Sequence, residues 1–222
     1  AQKRLAGLTF ACGIFTNLGE DHLDYHASSD DYFRAKRSLF YACARGLVNT
    51  DDTRGQQLYE DAAFAGKLYS YSPTGRSSDY PLAFLPRQLS DTPFSFLAAN
   101  RLGLTPQECT VFEDIANRLA AAACAHLAGI PRADIIRALN AMPPIPGRME
   151  CVRQTPFSVY LDYAHTPDAL EAALSGLRRC LPSPDARLHV VFGCGGDRER
   201  QKRPLMGAVA AKHADRILLT AD

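Results

Sequence analysis

The feature that most constrains this 222-residue chain is the alternation of strand-like and helix-like segments in its last third. Residues 157–162, 188–193 and 216–220 read as short apolar strands, with helices predicted over 167–180 and 203–213 between them. Strands that alternate with helices in this way build a parallel sheet, because each helix carries the chain back across the sheet to begin the next strand. Thr166 followed by Pro167 marks the first helix start, an N-cap before a first-turn proline. Ligands of such sheets gather beyond the carboxyl ends of the strands.

Upstream, "MPPIPGR" (142–148) is the best candidate hinge, since its prolines forbid regular structure. Domains of 1–145 and 146–222 are expected on either side. Before it, 9–17 reads as a buried strand, 30–44 as a helix, 46–50 as a strand and 53–65 as a helix. Residues 67–100 suggest short antiparallel strands. "VFEDIANRLAAAACAHL" (111–127) is a helix stopped by Gly129, and Pro131 opens another that ends near Met142. The fold class is α/β. A start without Met and an end at a strand-like "ILLTAD" suggest a piece of a longer protein.

Composition removes several classes. A net charge of +1 argues against nucleic acid or an anionic membrane as partner. No apolar run approaches the roughly 18 residues of a membrane span, and no signal-peptide pattern is visible. The seven cysteines (12, 43, 109, 124, 151, 180 and 194) are scattered, odd in number and never in a C-x-x-C pair. That usage fits a reducing cytoplasm better than a zinc site or a disulfide framework.

Three clusters could carry chemistry. In "GEDHLDYHASSDDYFRAKRSLFYACA" (19–44), Ser28 or Ser29 caps a helix with Asp30 and Asp31 in its first turn. Tyr32, Phe33, Leu39, Phe40 and Cys43 fall on one stripe, with Lys36 in its middle and Arg34 and Arg37 pointing away. Lys36 either snorkels to the stripe's edge and pairs with Asp24 or Asp31, or serves a site with Glu20, Asp21, His22, Asp24 and His26. A desolvated lysine amine can act as a base, form a Schiff base, or take up carbon dioxide as a carbamate, an oxygen ligand for Mg²⁺. In "LDYAHTPDAL" (161–170), Asp162 and His165 lie between a strand end and a helix start, either as an anion-binding corner or as a capping loop. In "VVFGCGGDRERQKR" (190–203), a glycine-rich turn leads to Asp197, Arg198, Arg200, Lys202 and Arg203, suited to a carboxylate or phosphate. It is not a dinucleotide fingerprint. Gly147–Arg148 could reach a ligand at the hinge.

Together, "FTNLGEDHLDYH", "YFRAKRSLF", "PGRMECV", "LDYAHTPDALEAAL" and "VVFGCGGDRERQKRPLMGA" resemble the Mur ligases of peptidoglycan synthesis, in order and along nearly the whole chain. The resemblance is strongest to the branch that adds the third amino acid of the peptide. It implies part of a central ATPase domain, with its first portion missing, joined to a truncated Rossmann-like C-terminal domain.

The implied activity is ATP-dependent ligation of meso-diaminopimelate or L-lysine to UDP-N-acetylmuramoyl-L-alanyl-D-glutamate through an acyl phosphate, with Mg²⁺. It further implies a carbamylated Lys36, His22 as a metal ligand, and Gln2, Arg4, Arg198 and Asp222 as substrate contacts. Asn117, Arg148, Asp162 and His165 match ATP contacts. The family's P-loop and Glu-Val-Ser-Ser-His segment do not occur, Glu113 stands where Asn is usual, and the Asp-Asn-Pro-Arg motif would begin at Asp222.

A cytoplasmic enzyme, monomeric at full length, is therefore expected, with this piece inactive alone. The alternatives are a folylpolyglutamate synthetase-like ligase, against which "DYAHTP" in place of a "DGAHNP"-like segment argues, and a metal-dependent phosphohydrolase built on His22, Asp21 and His26.

Overall fold

The computed structural model describes residues 7–19, 28–81, 84–85, 112–143, 145–195 and 200–221. They fall into two compact units, one of the described residues before 90 with Asp114–Met142, the other of Phe112, Glu113 and those from Pro143 onward.

The first unit is a parallel sheet ordered β1 (Phe10–Phe15), β2 (Cys43–Asn49), β3 (Leu68–Ser72) and β4 (Tyr80–Pro81). Its register pairs Phe15 with Val48 and Val48 with Ser70. Because side chains alternate along a strand, neighbouring Leu47 and Val48 enter opposite layers, and both are fully buried. On the Leu47 side lie Tyr71, Tyr80 and Leu85, with Leu119 and Ala123 of α3 (Phe112–Leu127) and Ile135 and Leu139 of α4 (Arg132–Ala141). On the Val48 side lie Phe15, Phe33 of α1 (Ser29–Arg37), Phe40, Leu58 of α2 (Thr53–Tyr59) and Phe64. Helical cover on both faces is what an all-parallel sheet requires. Cys12 joins the first layer, and burial pushes its thiol up to about 12, which keeps it a protonated, small apolar side chain.

Two strand expectations are corrected. Residues 67–81 do not form antiparallel strands; β3 and β4 are parallel, with Tyr71 opposite Tyr80. The reason lies in Asp79, whose carboxylate accepts the Ser70 amide at 2.7 Å and the Ser70 hydroxyl at 2.8 Å. That draws the chain back to the middle of β3, so Tyr80 re-enters alongside it. The remainder of 67–100 lies outside the described residues, apart from 84–85.

In the second unit, the strand expected at 157–162 is β6 (Val159–Leu161), which pairs antiparallel with an unforeseen β5 (Glu150–Arg153). The connection is five residues (154–158), a length typical of a hairpin loop. The rest follows expectation. α5 (Pro167–Arg179) and α6 (Lys202–His213) pack against β7 (His189–Phe192) and β8 (Arg216–Leu219), which pair in parallel. Leu170, Leu174, Leu188, Val190, Met206 and Ala210 form that core.

Arg178 ties the end of α5 to the turn before β8, donating to both Asp215 oxygens at 2.6 and 3.0 Å, and Leu188 N adds a 2.7 Å bond. The Arg178 guanidinium, then the Leu188 amide, hold the Asp215 carboxyl well below the usual carboxylate range. A depressed folded-state pKa gives stability that is complete above the unfolded value of about 3.9 and is lost as pH falls below it. Urea midpoints of wild type and Asp215→Asn, measured from neutral pH down into acid, are expected to differ by a constant amount at neutral pH and to converge in acid. A gap that does not narrow on acidification would contradict this. Among the described residues, no helix is long and apolar enough to cross a membrane.

Candidate active site

α1 begins at Ser28, whose hydroxyl accepts the Asp31 amide at 3.1 Å, with Asp30 and Asp31 in its first turn. It ends earlier than the sequence suggests. The α-helix stops at Arg37 and tightens into a 3₁₀ turn over Ser38–Ala42, while Cys43 opens β2. Phe33 and Phe40 are buried, but Tyr32, Lys36 and Leu39 are half-buried, so Lys36 stands at the rim of the stripe.

The Lys36 amine does not pair with Asp31, which pairs with Arg34; the alternative partner, Asp24, lies outside the described residues. Instead Nζ lies 4.8 Å from the Tyr32 ring centroid, one helical turn back, and donates to the Asn17 carbonyl at 3.2 Å. Asn17 follows the carboxyl end of β1, the edge of a parallel sheet where ligands collect.

The second unit brings Arg148, Asp162 and His165 together. Gly147 and Met149 both take left-handed backbone, at φ 69° and 46°. The Asp162 carboxylate holds that loop to the end of β6, accepting Met149 N and Ala164 N, each at 2.9 Å. Asp162 thus acts on the backbone, as a capping residue would. Arg148 lies on the Tyr163 ring at 5.1 Å, and the His165 ring meets the same tyrosine edge-on at 5.0 Å.

His165 Nδ1 is 3.0 Å from the Tyr163 carbonyl. A carbonyl only accepts, so Nδ1 is the donor in this contact. Thr166 then caps α5, accepting Ala169 N at 3.3 Å, with Pro167 in the first turn. The result is an aromatic-backed cation and an imidazole at a helix N-terminus, an arrangement suited to a nucleotide's phosphates and ring. Tyr163 escaped the sequence reading. Its signal was available, an exposed aromatic between two polar candidates in a strand-to-helix corner.

Asn117 is exposed on α3 of the first unit. The glycine-rich turn leaves β7 through Gly193 and Gly195, and Cys194 Sγ contacts Met206 Sδ at 3.4 Å. Gln2, Arg4, His22, Arg198 and Asp222 lie outside the described residues, as do Glu20, Asp21, Asp24, His26 and Asp197. Among the described residues, no three His, Cys, Asp or Glu side chains stand together as a metal site.

Known proteins resemble the chain throughout. Residues 1–125 match the Mur ligase middle domain and 147–222 the Mur ligase glutamate ligase domain. UDP-N-acetylmuramoyl-L-alanyl-D-glutamate–2,6-diaminopimelate ligase of Synechocystis sp. (strain ATCC 27184 / PCC 6803 / Kazusa) is 40% identical over all of this chain, which spans 44% of that relative's length. A solved structure of a ligase with the same name is 29% identical and superposes with a TM-score of 0.58, covering 99% of this chain and 45% of its own. An FPGS–AMPPCP–folate complex superposes at 0.60 with 15% identity, covering 94% of this chain and 50% of its own, which shows a common fold and no more. With more than half its length matched by the middle-domain family and residues 147–222 by its companion, the chain belongs to the Mur ligase family.

Proposed function

We propose that the full-length protein carrying this chain is the ATP-dependent ligase that joins meso-diaminopimelate to UDP-N-acetylmuramoyl-L-alanyl-D-glutamate. L-Lysine is the alternative amine. The reading rests on the relatives' named activity and, in this chain, on one observation: a lysine amine set at the carboxyl end of a parallel sheet and held by a neutral carbonyl. The Asn17 carbonyl leaves the Lys36 amine without a carboxylate partner among the described residues. Such an amine can add to carbon dioxide, forming an N–C bond and releasing one proton to solvent. The carbamate is the hard anionic oxygen donor that Mg²⁺ favours, so Lys36 fits that ion, with His22 as a further ligand. When bound, Mg²⁺ neutralises charge on the transferring phosphoryl group.

In the reaction, a substrate carboxylate oxygen attacks the γ-phosphorus of ATP and ADP leaves. The amine then attacks the acyl carbon and phosphate leaves. Arg148, oriented by Tyr163, offers N–H donors to ATP oxygens, while His165 and the α5 N-terminus contact the nucleotide. Asp162 keeps the Arg148 loop in place. Asn117 lies by adenine, Gln2 and Arg4 contact the sugar peptide, and Arg198 and Asp222 the incoming amino acid. The enzyme works as a cytoplasmic monomer, with a central ATP-binding domain to residue 145 and a C-terminal domain from 146.

Phosphate release from the full-length protein, given the sugar dipeptide, ATP and Mg²⁺, is expected to require meso-diaminopimelate. Dependence on lysine instead would correct the amine. Indifference to both would end the third-residue assignment.

A further inference from the structure

The Asn17 carbonyl can orient Lys36 only if the loop after β1 is itself held, and two side chains hold it, one at the end of β2 and one at the start of α2. Asn49 Nδ2 donates to the Thr16 carbonyl at 2.9 Å, and Asp52 Oδ2 accepts the Leu18 amide at 3.2 Å. These bonds grip the backbone on both sides of Asn17, one through an oxygen and one through an N–H.

Each gripping residue is anchored in turn. Asn49 Oδ1 accepts Asp51 N at 3.0 Å, and Asp52 Oδ1 accepts Gly55 N at 2.8 Å as the N-cap of α2. The β1–β2 ladder ends at Phe15–Val48, so no strand pairing fixes residues 16–18. The two side chains do what the ladder no longer does.

We propose that Asn49 is a positioning residue for Lys36: through Thr16 it sets the Asn17 carbonyl that holds the amine in place to react with carbon dioxide. The proposal rests on the reading of Lys36 given above. A carbamylated amine keeps one N–H, so the same carbonyl can hold Lys36 before and after the modification. Loosening the loop frees the amine to turn away, which lowers the fraction carbamylated at a given carbon dioxide level.

The variants Asn49→Asp and Asn49→Ser separate this from mere support. Asp keeps the acceptor for Asp51 N but sets an oxygen against the Thr16 carbonyl; Ser is too short to reach it. Both full-length variants are compared with wild type and Lys36→Ala at low and high bicarbonate. A fall of about 10- to 100-fold in kcat is expected for the Asn49 variants, the scale found when a ligand's supporting partner is removed. KM for ATP should hold while added bicarbonate recovers part of the loss. Wild-type kcat in both variants, or a loss that bicarbonate does not move, overturns the positioning role. If Lys36→Ala is inactive while the Asn49 variants match wild type, only the positioning fails; if Lys36→Ala turns over normally, the reading beneath it fails too.

Discussion

Lys36→Ala in the full-length protein is expected, under the proposed function, to lower kcat by about 10²- to 10³-fold, the scale seen when a group stabilising transition-state charge is deleted. Alanine keeps the α1 backbone, and Lys36 lies at the rim of the Phe33–Phe40 layer, so folding should be little affected. Lys36→Arg sharpens the test. A guanidinium can still donate to the Asn17 carbonyl and lie over Tyr32, but it forms no stable carbamate. If the lysine acted only as a cation or as a tether for the loop, arginine would preserve activity. Under the carbamate reading both variants are equally inactive, and bicarbonate restores neither. Ligation rates from product formation decide it, and near-wild-type turnover in either variant would rule the carbamate out.

The largest stability effect is expected at Gly55. In an ordinary helix, Gly→Ala stabilises by about 1 kcal/mol. Here a Cβ on Gly55 would lie 1.9 Å from the Asn49 carbonyl oxygen, a backbone atom that cannot rotate aside. The first turn of α2 would have to lift off the end of β2, disturbing the Asp52 cap and the fully buried Leu58. Overpacking of this kind costs about 1–3 kcal/mol, and at a backbone contact the upper end applies. Gly55→Ala should therefore lower the urea midpoint of the first unit, opposite in sign to helix propensity. An unchanged or higher midpoint would show that α2 shifts freely. Because Asn49 and Asp52 also grip the Thr16–Leu18 loop, the same variant should lower activity at temperatures where the protein remains folded.

What the sequence made legible was mostly local. The Thr166–Pro167 start and the α5, β7, α6, β8 succession were readable because caps and apolar periodicity act over a few residues. α1 was read too long because the Leu39, Phe40 and Cys43 positions continue the apolar stripe, and periodicity does not report where an α-helix tightens into a 3₁₀ turn. The parallel β3–β4 pair depends on Asp79 reaching back nine positions to Ser70, and a lone Asp in a loop announces no partner. At the site, residue types pointed to Lys36, Arg148, Asp162 and His165. Their holders, the Asn17 carbonyl, Asn49 and the Tyr163 ring, were hidden because two act through backbone atoms and one through a ring face.

The Arg148–Tyr163 stack has a consequence for how strongly an anion would be felt. Many arginines are oriented by a carboxylate, which cancels much of their field and occupies the edge of the fork; Arg178, clasped by Asp215, is one in this chain. A ring face contacts the guanidinium without cancelling its charge, so Arg148, 5.1 Å from the Tyr163 ring centroid, keeps its field. Tyr163 holds the cation without neutralising it, so under the proposed function Arg148 would meet a phosphate with its attraction undiminished by its partner.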